Sequence, residues 1–278
     1  MLNARPVASI VIPARDEAMV IERTLRTLLV DAAPGEFDVI VVPNGCSDDT
    51  PGIVRRGFPG VRVIELAEGS KTMALNTGLD AARAPIVLLL DADVRLGTAS
   101  ARALVATAGA PGVDAAIARM EVDRDDVAAV VRAFYAAWLR HPYFDGGKFA
   151  AAYALSTSGR ARLGRFPAVT ADDEYAARRM QTVRTAPDAY FRVAPPRTLA
   201  ALLAVRTRSR RGTAQLSVRR QGAVLGTLMR FAGRLLRDPR LWPAACVYAA
   251  VRVVAGLRVA RSDGSVWERD LTSRTRAL

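Results

Sequence analysis

Three nearly continuous apolar runs constrain this chain most: residues 8–13 (ASIVIP), 37–42 (FDVIVV) and 86–90 (IVLLL). Strands without polar alternation are buried on both faces, as in a parallel sheet, and parallel neighbours need a long crossover between them. The intervals supply such crossovers. Residues 17–30 place Ile21, Leu25, Leu28 and Leu29 on one helical face. Asp49 and Thr50 can cap a helix through Ile53 and Val54, residues 61–66 read as a further strand, and 71–83 as a further helix. The pattern is an α/β sheet covered by helices on both faces.

In such sheets ligands sit beyond the carboxyl ends of the strands. That rule gathers four polar segments at one rim: residues 13–17, 43–49, 68–71 and 91–93. The last, Asp91-Ala92-Asp93, follows the strand at 86–90 directly. Two carboxylates around one small residue can share a cation, and Mg²⁺ or Mn²⁺ is commonly held by carboxylates together with substrate phosphates. Taken alone, Asp-x-Asp reads equally as a polar turn.

The second half is less regular. Residues 113–120 are expected to form a strand. Residues 126–140 are expected to form a helix with Val130, Phe134 and Trp138 aligned. Gly146-Gly147 marks a loop before the apolar run 149–155. Residues 172–181 read as a helix that opens on acids, where its dipole favours them. From 198 onward the pattern is helical.

Charge separates the tail from the body. The formal net charge is +13, but from Arg192 onward 18 Arg face only four acids, Asp238, Asp263, Glu268 and Asp270. Such a section attracts acidic partners. Residues 226–240 set Leu228, Phe231, Leu235 and Leu236 beside Arg230, Arg234 and Arg237, and 241–260 is more apolar, with Trp242 and Tyr248. Two readings stay open: docking on an acidic membrane surface, or cover over the catalytic domain. No 18-residue charge-free apolar run is present, so a standard membrane span is not expected. Cys46 and Cys246 make no disulfide framework, and the N-terminus reads as lacking a secretory signal; a cytoplasmic setting is expected, peripheral on the membrane face if the tail docks there.

In order, the strings at 9–17 (SIVIPARDE), 44–50 (NGCSDDT), 69–78 (GSKTMALNTG) and 90–93 (LDAD) resemble the family 2 glycosyltransferases. Their usual strings are close to SIVIPARNE, DGSTDDT, GKAxALNxG and LDAD. The resemblance covers residues 7–95 well and continues more loosely to about 215. It implies the GT-A fold, a Rossmann-like, mostly parallel sheet flanked by helices. Residues 1–195 would be catalytic, with 1–95 the nucleotide-sugar half and 96–195 the acceptor half. Residues 196–278 would be a basic amphipathic helical tail. The implied reaction is inverting transfer from a nucleoside-diphosphate sugar to a hydroxyl acceptor, with Mg²⁺ or Mn²⁺; docking of the tail on a membrane would make that acceptor lipid-linked or membrane-associated.

The resemblance also assigns residues. Pro13, Ala14 and Glu17 fall where the family's first loop lines the nucleotide pocket. Asn44 falls where many members have an Asp that hydrogen-bonds the base; Asn keeps an acceptor, adds a donor and loses the charge. Lys71 faces the donor pocket, where a cation suits a diphosphate. Asp91 faces the ribose or metal region, Ala92 leaves room for the ligand, and Asp93 is the main metal ligand. Residues 170–175 (TADDEY) resemble the acidic "ED" element, which favours Asp173 as the base with Asp172 beside it. Residues 146–156 resemble a small-residue segment lining acceptor space. Residues 206–212 sit where processive members carry QxxRW. Neither Gln nor Trp is present, which argues against a processive synthase, but Arg208 or Arg211 could clamp the diphosphate. His141, the only histidine, suits a structural role.

Rival classes fit less well. A sugar nucleotidyltransferase would show a GxGxR-type loop where Ala14-Arg15-Asp16-Glu17 stands. A dehydrogenase would show GxGxxG after the first strand. A non-catalytic binder of membranes or nucleic acid leaves the rim acids unexplained, and no nucleic-acid partner is expected.

Overall fold

The computed structural model describes residues 6–215 and 223–261; the tail acids Asp263, Glu268 and Asp270 lie outside the described residues. The chain forms two compact units, Met1–Glu121 with Gly147–Val193, and Val122–Gly146 with Ala194–Leu278. Residues 122–146 therefore group with the tail, as a helix inserted between two strands of the first unit.

The first unit opens with β1 (Ala8–Ala14), α1 (Ile21–Leu29), β2 (Phe37–Pro43), α2 (Thr50–Gly57), β3 (Arg62–Val63), α3 (Lys71–Ala81) and β4 (Val87–Leu90). It continues with β5 (Arg95–Leu96), α4 (Thr98–Ala108) and β6 (Ala115–Val122). After α5 (Ala129–Trp138) of the second unit come β7 (Lys148–Leu155), α6 (Thr157–Leu163), α7 (Asp172–Arg179) and β8 (Val183–Val193). The sheet order is β3-β2-β1-β4-β7-β6-β8-β5. The β1, β2, β3 and β4 pairings are parallel. The expected parallel sheet thus fills the N-terminal half, whereas β7 runs antiparallel to β4 and to β6, and β5 antiparallel to β8.

Every residue of β1, β2 and β4 is buried, as continuous apolar runs require. One face packs on Ile21, Leu25 and Leu28 of α1 and Leu104 of α4. The other packs on Ala74, Leu75 and Leu79 of α3 and Ala176 of α7. Truncating a fully buried leucine such as Leu28 to alanine would cost about 2–5 kcal/mol. Gly78 lets α3 lie close on the sheet, since a Cβ there would fall 2.2 Å from Val11 Cγ1. The strand expected at 61–66 is short, but Leu66 still bridges Asn44 and brings the next loop to the rim.

The second unit contains α5, α8 (Leu199–Gln215), α9 (Ala223–Leu236) and α10 (Trp242–Ala260). Its core joins Val131 and Phe134 of α5 to Leu202 of α8 and Val251 of α10. Arg206 places Cζ over the Trp138 ring, 4.2 Å from its centroid, and donates to Tyr135 Oη at 3.2 Å. His141 Nδ1 accepts the Tyr143 N–H at 3.1 Å, a local structural role. The stretch Pro239–Ala260 is long and apolar enough to cross a membrane, although Arg240, Arg252 and Arg258 interrupt its apolar run.

Candidate active site

The carboxyl ends of β1, β2 and β4 and the start of α3 form one rim, as their parallel pairing demands. Asn44 ties β2 to β1: its N–H and its Nδ2 both donate to Ala14 O, and Nδ2 also donates to Val42 O. Asn44 is only 2% exposed, so its amide nitrogen serves the fold. Glu17 is buried just past β1, with its N–H donating to Thr50 Oγ1 at 2.8 Å. Pro13 and Ala14, the last two residues of β1, are buried. Gly45 has φ +55°, and a Cβ there would meet Gly69 N at 2.5 Å. Only glycine lets the loop before α3 close over the end of β2.

The Asp91-Ala92-Asp93 turn is held from both sides. Asp91 N–H donates to Ala151 O of β7 at 2.8 Å, and Ala92 O accepts from Thr24 Oγ1 of α1 at 2.8 Å. Asp91 and Asp93 are both half-buried at the rim. Lys71, the first residue of α3, places Nζ 2.8 Å from Asp91 Oδ1 and 3.0 Å from Asp172 Oδ2. Burial pulls the ammonium's pKa down, but Asp172 and Asp91 outweigh it and leave it well above the ordinary lysine value. Asp172, the first residue of α7, is pushed up to about 6, chiefly by burial, with Lys71 opposing and Asp91 and Asp173 adding. Asp173 is less buried and forms no salt bridge among the described residues; its Oδ1 accepts the Glu174 N–H at 2.8 Å.

The structure thus gathers Lys71, Asp91 and Asp172, with Asp173 adjacent. Arg208 and Arg211 lie on α8 in the second unit. The sequence reading missed Tyr153 of β7, a buried phenol subject to the charges of Asp172, Lys71, Asp173 and Asp91. The available signal was one large polar-tipped residue in a strand of alanines.

The donor set suits a hard divalent cation. Three carboxylates, Asp91, Asp172 and Asp173, act on one ammonium, so the cluster stays net negative. Oxygen donors alone match Mg²⁺ or Mn²⁺. Among the described residues, the only three His, Cys, Asp or Glu side chains whose ligand atoms all lie within 4.8 Å of one another are Asp16, Cys46 and Asp48. Their carboxylates staple loops instead: Asp16 accepts from Ser47 N, and Asp48 from Ala18 N and Thr50 N.

The sequence profile described as Glycosyl transferase family 2 matches residues 9–170, more than half of the chain. The protein belongs to glycosyl transferase family 2. No curated protein sequence matches this transferase. Among solved structures, the mannosyltransferase PcManGT from Pyrobaculum calidifontis, in complex with GDP-Man and Mn²⁺, is 25% identical. Its TM-score is 0.59 over 95% of this chain and 77% of that one. Glucosyl-3-phosphoglycerate synthase from Mycobacterium tuberculosis, in complex with Mn²⁺, UDP and glucosyl-3-phosphoglycerate, is 21% identical. Its TM-score is 0.55 over 77% of this chain and 79% of that one. S. aureus TarS 1–349 with UDP is 16% identical, with TM-score 0.52 over 92% of each chain. The last two share the fold alone. The fold of this family 2 transferase is GT-A, and the rim built by β1, β2, β4 and α3 lies within the matched residues.

Proposed function

We propose that this glycosyltransferase moves a sugar from a nucleoside-diphosphate sugar to a hydroxyl acceptor with inversion at the anomeric carbon. One observation carries the reading: Lys71 joins Asp91, of the motif after β4, to Asp172, of the acidic element at the start of α7. A carboxylate near the operating pH and beside the donor motif is what an inverting transfer needs as base. Asp172 takes the proton of the acceptor hydroxyl, and the acceptor oxygen forms a bond to the anomeric carbon. The bond from that carbon to the phosphate oxygen breaks, and its electron pair leaves with the nucleoside diphosphate. The sequence favours Asp173 for this role, and its greater exposure keeps it as the second reading. Lys71 offers an ammonium to the diphosphate.

Asp93 and Asp91 would hold Mg²⁺ or Mn²⁺, which when bound supplies positive charge against the departing diphosphate. The likeness to PcManGT, whose structure contains GDP-Man and Mn²⁺, supports this. We place catalysis within residues 1–195. For the tail, exposed apolar side chains support membrane docking over a purely covering role. They are Leu228, Met229 and Leu236 of α9, and Trp242, Val253 and Leu257 of α10, with Arg230, Arg237, Arg252 and Arg258 also exposed. Apolar and cationic groups together suit an anionic interface at the cytoplasmic face, where a lipid-linked acceptor would be presented.

The deciding experiment is hydrolysis of a panel of nucleotide sugars with Mn²⁺ or Mg²⁺ by wild type, Asp93→Ala, Asp172→Asn and Asp173→Asn. Wild type and Asp173→Asn should turn over one donor, and Asp93→Ala and Asp172→Asn should not. Equal turnover by Asp93→Ala removes Asp93 from the mechanism. Retained turnover by Asp172→Asn with loss in Asp173→Asn moves the base to Asp173.

A further inference from the structure

Tyr153 is 3% exposed, and its buried hydroxyl has no hydrogen-bond partner among the described residues. Such a group loses its hydration with nothing in exchange, and nearly all buried polar groups avoid that penalty. The ring does not explain the hydroxyl. It lies against Phe149, centroids 4.4 Å apart, in the apolar cluster shared with Ala74 and Leu75 of α3 and Ala176 of α7. Phenylalanine would fill that space without the penalty.

Local geometry brings the hydroxyl to the site. α3 begins at Lys71 and α7 at Asp172, so Tyr153 sits on the sheet face that both helices cover. β7 is irregular here: its pairing with β6 jumps from Ile117↔Tyr153 to Ala118↔Lys148, and Ala151 has φ +59°. Bulges of this kind re-aim side chains next to active sites. The same Ala151 offers its carbonyl to Asp91 N–H, so one distorted segment holds both the donor motif and the tyrosine. Burial first, then the Asp172 carboxylate, raise the phenol's pKa well above its ordinary value, so the group stays a neutral O–H donor.

Lys71 currently satisfies Asp172 and Asp91 together. A diphosphate entering the donor site competes for that ammonium and leaves Asp172 short of a donor. We propose that Tyr153 is a positioning residue for Asp172, its O–H donating to the Asp172 carboxylate when Lys71 turns to the donor's diphosphate. The bond orients one carboxylate oxygen toward the acceptor hydroxyl. The inference rests on Asp172 as the base.

Tyr153→Phe tests it, read as hydrolysis of the nucleotide sugar found in the donor panel, with water as acceptor. The expected result is a melting temperature at or above wild type, donor KM unchanged, and kcat lowered roughly ten- to a hundredfold. Unchanged kcat overturns the proposal. So does a kcat loss that comes with a lower melting temperature, which marks a packing role, or a raised donor KM with kcat kept. Asp172→Asn separates the two ideas. If it keeps turnover, the reading of Asp172 fails; if it is inactive while Tyr153→Phe is silent, only the role of Tyr153 fails.

Discussion

The Lys71 ammonium lies 3.0 Å from Asp172 Oδ2, so the first residues of two helices far apart in sequence meet as an ion pair. Both helices point their N-termini, the positive ends of their dipoles, at this place. One ammonium and two helix ends make it receptive to anions, while the carboxylates make it receptive to a cation. A diphosphate accompanied by a divalent ion satisfies both.

Because Lys71 also holds Asp91, it competes with a metal for that carboxylate. Lys71→Met should bind Mn²⁺ about tenfold more tightly in the absence of donor, since a like charge a few ångströms away is removed. It should also raise donor KM. Calorimetric titration with MnCl₂ checks the first part, and weaker Mn²⁺ binding would show that the ammonium does not compete.

Asp172, at about 6, sets a pH limb. A base must be unprotonated, so kcat/KM should fall as pH drops through about 6, measured by donor hydrolysis across pH 5 to 8. Stability runs the other way. The folded-state pKa lies above the ordinary 3.8, so the folded protein binds the extra proton between 3.8 and about 6. The contribution of Asp172 to stability therefore declines as pH rises through that window. A profile flat through pH 6 would take the base role from Asp172.

Gly45→Ala should lower stability by about 2 kcal/mol or more, because a positive φ and a clash with the Gly69 backbone coincide. The loop carrying Ser70 and Lys71 must then shift, so donor KM should rise as well. Urea denaturation and donor kinetics read the two effects. Normal stability with normal KM would mean that the two loops separate without consequence.

If the tail docks on membranes, Trp242→Glu and Leu257→Glu, both at exposed positions, should weaken flotation with anionic liposomes and leave nucleotide-sugar hydrolysis intact. Binding by wild type should fall with added salt. Failure of wild type to float at low salt would return the tail to a covering role.

The rim was legible because parallel strands buried on both faces write themselves as apolar runs, and their carboxyl ends follow directly. β8 was not legible. Its sequence mixes Arg184, Pro187, Asp188 and Arg192 with sparse buried positions, and Asp188 has φ +56°. β5 is two residues long and exists through its pairing with β8. The acidic pair shows a subtler limit. Successive helical residues point about 100° apart, so one of Asp172 and Asp173 faces inward, and where α7 begins decides which. Lys71 was expected at the donor pocket from its string; its bond to a carboxylate of the second half depends on tertiary structure alone.

Lys71 and Lys148 are the only lysines in a chain otherwise supplied with cations by arginine. A compact ammonium can direct separate protons to two carboxylates where a flat guanidinium fork fits less well. The same scarcity makes the site readable in the intact protein. An amine-selective acylating reagent has two side chains to find, so the mass shift at Lys71, with and without donor, reports directly on whether that ammonium has changed partners.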